Sequence, residues 1–401
     1  MPKAPRGVRT VIAFTGRRNA GKSSLINAIT DQDIAIVSAT PGTTTDPVAK
    51  SYELIPIGPV TFYDTGGIDD VGELGEKRIK STKKILWRSD IAVVVIDEKG
   101  ITTDDKKLIE KIKELDIPNL IIFNKKDITK PSQQDLKFCQ QHKLNYCQVS
   151  ASKGEGIYEL RQKLVELAPE HLKKERTLAG DLIKKGSLFM LITPIDLSAP
   201  KGRLILPQVQ MIREILDYNG IAITVKESEI DEAFAALFKK PDLVITDSQA
   251  IEIVNKKVPQ DILVTTFSIL FARYKGDLAI LYQGAKTIDK LEDGDKILIA
   301  ETCSHNVQCD DIGRYKIPDW LKKYTDKNFQ FEVTVGHDFP EDLEKYKLII
   351  HCGACMLNRT EMSRRILEAK RRGVPITNYG IAISKLNRVL NKTIKPFGLE
   401  K

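Results

Sequence analysis

The chain has 401 residues, of which 42% are hydrophobic and 29% charged, and its formal net charge at pH 7 is +8. This composition excludes a disordered or low-complexity protein, and the length exceeds what one hydrophobic core serves, so we predict three domains. The positive charges are spread along the chain rather than gathered in one basic arm. They permit binding to nucleic acid but do not argue for it, and nucleic acid is not an expected partner.

The N-terminal ten residues are basic, but no apolar stretch of the length of a secretory signal follows them. No apolar run in the sequence approaches the ~18 residues of a membrane helix, so we expect a cytoplasmic protein without a membrane partner. In a reducing compartment, cysteines serve as metal ligands or free thiols more often than as disulfides.

A phosphate-binding loop is predicted near the N-terminus. The strand-like run 11–15 leads into Gly16-Arg17-Arg18-Asn19-Ala20-Gly21-Lys22-Ser23, and residues 24–29 then have a helical pattern. Glycines at both ends of the loop let backbone amides turn toward a phosphate, Lys22 reaches the β and γ phosphates, and Ser23 ligates Mg²⁺. The nucleotide-binding residues predicted here are Gly16, Asn19, Gly21, Lys22, Ser23 and Ser24.

Two later apolar runs also end in polar motifs. Residues 60–63 lead into Asp64-Thr65-Gly66-Gly67, which predicts Asp64 near the metal and Gly67 near the γ-phosphate, and residues 120–123 lead into Asn124-Lys125-Lys126-Asp127. The Asp127 carboxylate can accept hydrogen bonds from N1 and N2 of guanine, a donor pair that adenine lacks, so the predicted nucleotide is GTP. The predicted base-binding residues are Asn124, Lys125 and Asp127, with Ser150 and Ala151 closing over the base.

The order of these motifs, with Pro41-Gly42-Thr43-Thr44-Thr45-Asp46 between the first two, resembles the TrmE/Era-like branch of P-loop GTPases. The resemblance implies Thr44 as a second Mg²⁺ ligand and a K⁺ ion held by Asn19; the alternative is that Asn19 only caps a turn. Ile68 stands where a glutamine would orient the attacking water, so we expect slow intrinsic hydrolysis. The predicted catalytic residues are Lys22, Thr44 and Gly67.

Beyond a polar, glycine-punctuated linker, strand-like and helical patterns alternate between residues 180 and 268. Such alternation predicts βα units on a mostly parallel sheet, with strands at 188–192, 221–225, 243–246 and 262–265 and helices at 208–216, 230–237 and 250–255. The proline-rich segment 194–207 either binds a partner or second copy of the chain or is a rigid connection. An apolar strand at a sheet edge would favour a dimer.

Residues 270–401 predict a second parallel sheet. The predicted strands are 278–282, 297–300, 331–335, 348–350 and 375–378, and the predicted helices are 319–324, 340–345 and 360–372. Strands 297–300 and 348–350 lead into Cys303-Ser304-His305 and His351-Cys352-Gly353-Ala354-Cys355. Because parallel strands present their carboxyl ends on one edge, both patches are expected to converge there.

Clustered thiolates and imidazoles favour zinc or an iron–sulfur cluster. The candidate metal ligands are Cys303, His305, His351, Cys352 and Cys355. A structural zinc would take the three cysteines and one histidine, whereas a four-iron cluster would leave one iron for a histidine, water or an exogenous group. A redox pair at Cys352 and Cys355 is a further alternative, and Cys309 is either a substitute ligand or a buried thiol.

Taken together, the GTPase motifs, the Ala199–Pro207 loop of the middle domain and the C-x-H and H-C-x-x-C patches resemble the HydF family of [FeFe]-hydrogenase maturation GTPases. The resemblance implies a homodimer, a [4Fe-4S] cluster on Cys303, Cys352 and Cys355, and a scaffold that delivers the two-iron precursor to the apo-[FeFe]-hydrogenase. It also implies two radical-SAM maturases as partners.

The predicted fold class is α/β with three domains: a P-loop GTPase sheet (1–172), a middle dimerisation domain (180–268) and a C-terminal cluster-binding domain with a parallel sheet (270–401). The rival function is a ribosome- or tRNA-associated GTPase with a zinc-stabilised RNA-binding module, but the sequence lacks a basic patch interleaved with aromatic residues.

Overall fold

The computed structural model describes residues 6–30, 48–66, 73–169, 177–194, 204–302, 311–354 and 356–399. The fold is α/β throughout, as predicted, and the chain divides into two units, Met1–Glu175 and Arg176–Lys401. Within the described ranges, no helix is long and apolar enough to cross a membrane.

The first unit is a six-stranded sheet with helices on both faces. The strand order is β2-β3-β1-β4-β5-β6, and every neighbouring pair is parallel except β2 with β3. The strands are β1 (Thr10–Gly16), β2 (Val48–Leu54), β3 (Gly58–Asp64), β4 (Ile91–Ile96), β5 (Asn119–Phe123) and β6 (Asn145–Gln148). The helices are α1 (Lys22–Thr30), α2 (Glu73–Arg88), α3 (Thr103–Glu114), α4 (Gln133–Gln141) and α5 (Ile157–Leu167).

Strand β1 shows how the sequence builds this sheet. All its residues are buried, because successive side chains point to opposite faces and helices cover both. Ile12 and Phe14 pack with α1 and α5, whereas Ala13 packs with α2, α3 and α4. Burial of a side chain the size of Ile12 or Phe14 is worth about 1.5–3 kcal/mol, which fixes the strand and so the loop that leaves its carboxyl end.

The second unit contains two four-stranded parallel sheets, with strand orders β10-β9-β7-β8 and β12-β11-β13-β14. The strands are β7 (Leu188–Ile192), β8 (Ile221–Val225), β9 (Leu243–Thr246), β10 (Val264–Thr266), β11 (Lys296–Ala300), β12 (Gln330–Thr334), β13 (Leu348–His351) and β14 (Ile376–Asn378). The helices are α6 (Leu206–Asp217), α7 (Ile230–Ala236), α8 (Ile251–Lys257), α9 (Phe267–Lys275), α10 (Leu278–Lys286), α11 (Ile317–Thr325), α12 (Arg359–Arg371), α13 (Tyr379–Leu386) and α14 (Leu390–Ile394).

The two sheets of this unit share a core. Met190 and Val244 of the first sheet belong to the same buried cluster as Ile299 and Ile350 of the second. The four strands predicted between residues 180 and 268 are all present, the last of them slightly later, at Val264–Thr266.

Two predictions in the last third of the chain are wrong. Residues 278–282, predicted as a strand, begin helix α10, because Asp277 caps the helix by accepting from the Ile280 N–H and the buried positions recur with a helical period. The helix approaches β14 so closely at Gly284 that an added Cβ would lie 1.9 Å from the Ile376 carbonyl oxygen. The helix predicted at 340–345 is only a 3₁₀ turn, Leu343–Lys345.

Candidate nucleotide site and cysteine loop

The phosphate loop joins β1 to α1, as its sequence predicts. Gly16 has φ +140°, and a Cβ there would lie 2.4 Å from the Val95 carbonyl oxygen of the neighbouring strand. Gly21 has φ +91°, and a Cβ there would lie 2.3 Å from Asn124 Nδ2. Only glycine therefore fits at either end of the loop.

The two polar side chains that follow Gly21 point back toward the loop and the next strand. Lys22 Nζ donates to the carbonyl oxygens of Gly16, at 3.2 Å, and Arg17, at 2.8 Å, so its ammonium group lies inside the curve of the loop. Ser23 Oγ donates to Asp64 Oδ2 at the carboxyl end of β3. The hydroxyl and carboxylate predicted to serve Mg²⁺ are thus in direct contact.

The base motif is tied to the phosphate loop through Asn124. Its Nδ2 donates to the Ala20 carbonyl oxygen at 2.9 Å, and its Oδ1 accepts from the Ala151 N–H at 3.2 Å. The Asp127 carboxylate accepts from the Ser150 hydroxyl, which lowers the pKa of Asp127. The ionised carboxylate can accept both hydrogen bonds that guanine offers.

The structure places the other nucleotide residues as follows. Asn19 is exposed on the loop with φ +60°, Ser24 is exposed at the start of α1, and Lys125 has φ +59°. Thr44, Gly67 and Ile68 lie outside the described residues, so the predictions on them stay predictions.

Sequence reasoning missed Arg17, the second residue of the phosphate loop. Its guanidinium is buried and pairs with Asp97 at 2.7 Å and Asp105 at 3.2 Å. The Thr102-x-x-Asp105 pattern predicts the capping box that starts α3, but no local pattern pairs its carboxylate with Arg17.

The cysteine loop, residues 351–357, leaves the carboxyl end of β13. Strands β11 and β13 are parallel neighbours with Ala300 opposite His351, so the segments that follow them start side by side. Thr302 Oγ1 and Cys352 Sγ are 3.1 Å apart. Cys303, His305, Cys309 and Cys355 lie outside the described residues, and the described ones contain no group of three or more metal-ligating side chains.

His351 is fully buried, and both of its ring nitrogens are hydrogen-bonded. Arg365 Nη1 lies 3.0 Å from Nε2, and the Cys352 carbonyl oxygen lies 2.9 Å from Nδ1. A guanidinium can only donate and a carbonyl can only accept, so the ring is the neutral Nδ1–H tautomer. Burial, reinforced by the charge of Arg365, lowers the pKa of His351 to about 3.

A chain of contacting polar side chains connects buried His351 to the protein surface. Arg365 is itself fully buried and donates to Glu361 Oε1 at 3.0 Å and to the Gly336 carbonyl oxygen at 3.1 Å. Glu361 is also 3.0 Å from His337 Nδ1, whose side chain is 44% exposed. A buried guanidinium needs such partners, because a lone ion in the interior is strongly destabilising.

A second buried cation holds the other end of the loop. Lys275 Nζ donates to the carbonyl oxygens of Ala354, at 2.8 Å, and Leu357, at 2.9 Å. Ala354 has φ +54°, a left-handed conformation that residues other than glycine rarely adopt. The hydrogen bond from Lys275 to the Ala354 carbonyl oxygen stabilises this left-handed conformation.

The phosphate loop, the serine and aspartate at the metal position and the guanine-specific carboxylate define a P-loop GTPase, which binds GTP and Mg²⁺. The family model described as 50S ribosome-binding GTPase matches residues 11–125. The chain is 36% identical over 160 residues to the tRNA modification GTPase MnmE of Prochlorococcus marinus (strain NATL2A), covering 39% of this chain and 34% of that protein. It is 32% identical over 206 residues to the GTPase Der of Kosmotoga olearia, covering 48% of this chain and 45% of that protein.

This chain thus spans about a third to under half of the length of those relatives. Among solved structures, Era of Aquifex aeolicus aligns with 62% of this chain and 98% of its own, at 21% identity and a TM-score of 0.35. Two further family models match the second unit: the Hydrogen maturase F dimerization domain at residues 178–276 and the Hydrogen maturase F tetramerization domain at residues 279–396. They cover just over half of the chain, which therefore belongs to the hydrogen maturase F family.

Proposed function

We propose that the chain is a GTP-hydrolysing scaffold and carrier. It binds a [4Fe-4S] cluster, completes the two-iron precursor of the [FeFe]-hydrogenase active site, and delivers it to the apo-hydrogenase. Membership of the hydrogen maturase F family supports this proposal. The observation that carries it is the position of Cys352, at the shared carboxyl edge of β11 and β13 and beside Thr302, the residue that precedes Cys303.

The residues present fit an anionic iron–sulfur cluster. Cys352 is nearly buried, and the loop that carries it is anchored by two buried cations, Arg365 and Lys275. Positive charge near a thiol favours the thiolate, which is the form that binds metal. Cys303, Cys352 and Cys355 would hold the cluster, which would supply one iron with a coordination position open to an exogenous group.

For His351 we propose a positioning role rather than iron ligation. Both ring nitrogens are already hydrogen-bonded, so ligation would require Nε2 to leave Arg365 or Nδ1 to leave the Cys352 carbonyl. The hydrogen bond to Cys352 instead fixes the backbone of the ligand itself, which is how residues behind a metal site orient its ligands. His305 stays a candidate for the fourth position.

GTP is proposed to act as a switch on partner release rather than as a source of energy for iron chemistry. We further propose that a K⁺ ion held by Asn19 stimulates hydrolysis. GTP turnover is then faster in KCl than in NaCl of equal ionic strength, and Asn19→Ala removes the difference. Equal wild-type rates in the two salts would contradict the potassium site.

The dimer surface is proposed to include β8. In the described part of the chain, this strand ends its sheet and has a hydrogen-bonded neighbour on one side only. Large apolar side chains are exposed on it, on the adjoining helix α6 and at the residue that caps this helix, namely Ile221, Val209, Leu216 and Tyr218. A second copy would satisfy the free strand edge and cover these side chains.

The apo-hydrogenase and two radical-SAM maturases are proposed as further partners, and the cytoplasm as the location.

Anaerobic reconstitution with iron and sulfide tests the cluster. We expect about four irons per chain and a low-temperature EPR signal on reduction, both lost in Cys352→Ser. The matched control is Cys147→Ser, which removes a buried cysteine of the first unit. Stoichiometric zinc without a cluster signal would overturn the proposal and favour the rival GTPase with a zinc-stabilised RNA-binding module.

A further inference from the structure

The loop that follows β4, residues 97–102, contacts both halves of the nucleotide site. On the phosphate side, Arg17 Nη2 donates to Asp97 Oδ1 at 2.7 Å and to the Gly100 carbonyl oxygen at 2.8 Å. On the guanine side, Lys125 Nζ donates to Glu98 Oε2 at 2.7 Å. We call residues 97–102 the bridging loop. None of its residues belongs to the GTPase motifs identified in the sequence.

The contact with the phosphate loop is buried and charged. The side chains of Arg17 and Asp97 are 9% and 8% exposed, and Arg17 Nε also lies 3.2 Å from Asp105, whose side chain is fully buried. A buried guanidinium cannot leave its carboxylates without a large desolvation cost, so Arg17 is held in one place. Its carbonyl oxygen in turn accepts the hydrogen bond from Lys22 Nζ at 2.8 Å. Asp97 therefore acts on Lys22 through Arg17.

The bridging loop is itself rigidly held. Asp135, at the start of α4, accepts from the Ile101 N–H at 2.9 Å, and Gly100 has φ +72° with no room for a Cβ, which would lie 2.7 Å from Asp135 Oδ2. At the other end, Thr102 and Asp105 form the capping box that starts α3. The loop is thus fixed to two helices and can serve as a reference point for the phosphate loop.

We propose that Asp97 is a positioning residue for GTP. It sets the position of the phosphate loop through Arg17, while Glu98 of the same bridging loop sets Lys125 of the guanine motif. The bridging loop thereby fixes the distance between the phosphate and guanine subsites. This inference depends only on the GTPase assignment and is independent of the cluster.

The ratio of the affinities for GDP and GMP distinguishes a role of Asp97 in positioning the phosphate loop from a role only in protein stability. GMP lacks the β-phosphate that the phosphate loop cradles, so a displaced loop weakens GDP binding selectively. We expect Asp97→Asn, in the full chain with Mg²⁺, to weaken GDP binding about tenfold and GMP binding less than about twofold, measured by competition with a fluorescent GDP. Glu98→Gln acts on the guanine side, which GDP and GMP share, and so should weaken the binding of both by the same factor.

The matched control is Asp104→Asn, which removes the same carboxylate from an exposed pair with Lys107 in the first turn of α3. It leaves both affinities unchanged. If Asp97→Asn does not fold, Arg17→Lys takes its place. Lysine keeps the positive charge but lacks the planar guanidinium group that donates to both Asp97 and the Gly100 carbonyl oxygen. A lowered melting temperature with an unchanged GDP-to-GMP ratio, or no change in either affinity, would overturn the proposal.

Discussion

The guanidinium of Arg365 donates to His351 Nε2 at 3.0 Å, and both side chains are fully buried. The pair joins the middle of helix α12 to the carboxyl end of β13, where the cysteine loop begins. His351 in turn restrains the backbone of the next residue, because its Nδ1–H donates to the Cys352 carbonyl oxygen at 2.9 Å. The His351 side chain therefore holds the backbone of Cys352, a proposed cluster ligand, in place.

Replacing Arg365 with methionine should destabilise the second unit. The change leaves Glu361 buried without its guanidinium partner and His351 Nε2 without a donor, and breaking such a pair costs about 3–5 kcal/mol. The measurement is urea unfolding of the full chain, together with iron content after reconstitution, which should also fall. The control is Arg372→Met, at the residue that caps the C-terminus of the same helix, where an exposed arginine pairs with Glu368 at the same i, i+4 spacing and with Glu344. Equal midpoints for the two variants would contradict the importance of the buried pair.

His351→Gln should retain the cluster and its EPR signal. A glutamine amide can accept from Arg365 through its oxygen and donate to the Cys352 carbonyl through its nitrogen, so it preserves both hydrogen bonds of the imidazole. His351→Ala preserves neither and should lose iron faster to a chelator. A shift of the g-values in His351→Gln, without loss of iron, would show that the imidazole ligates the cluster.

Gly21→Ala should abolish nucleotide binding while the chain stays folded. The added methyl group would lie 2.3 Å from Asn124 Nδ2, which links the phosphate loop to the base motif. Gly154→Ala is the matched control, since Gly154 also has positive φ, at +71°, but open space around its Cβ position. Both substitutions place alanine at a positive φ and so strain the backbone, but only Gly21→Ala also brings the new methyl group into steric conflict with Asn124. Normal GDP affinity in Gly21→Ala would contradict the geometry of the loop.

Lys22→Ala should abolish GTP hydrolysis and leave cluster assembly intact. The lysine ammonium lies inside the phosphate loop, whereas the cysteine loop belongs to the other unit of the chain. The measurements are phosphate release and the EPR signal of the reconstituted protein. Loss of both would favour a structural role for the nucleotide over a switching role.

Cys139 and Cys147 should resist alkylation in the folded protein. Burial raises the pKa of the Cys139 thiol to about 11 and that of Cys147 to about 12. Because the thiolate is the nucleophile, at pH 8 their reactivity falls at least about a hundredfold below that of an exposed cysteine. Peptide mapping after iodoacetamide treatment at pH 8, with and without urea, tests this. Rapid modification without urea would mean that α4, which contains Cys139, or β6, which contains Cys147, opens in the folded protein.

The sequence by itself determined the nucleotide chemistry. A phosphate loop needs glycine at two fixed positions and a lysine and a serine after them, and guanine needs a carboxylate after a strand, so short spacings are sufficient to recognise both. It also determined that Thr302 and Cys352, which follow β11 and β13, lie side by side, because parallel strands end on one edge of their sheet.

Tertiary structure alone decided which side chains support those sites. Arg17 and Asp97 are 80 residues apart in the chain, and Arg365 follows His351 by 14. No local pattern marks such pairs, because a buried charge is recognisable only once the surrounding side chains have removed it from water. Residues 278–282 show the same limit in the backbone: a short apolar run suits a buried strand or a buried helix, and the close approach of Gly284 to β14 belongs to a helix.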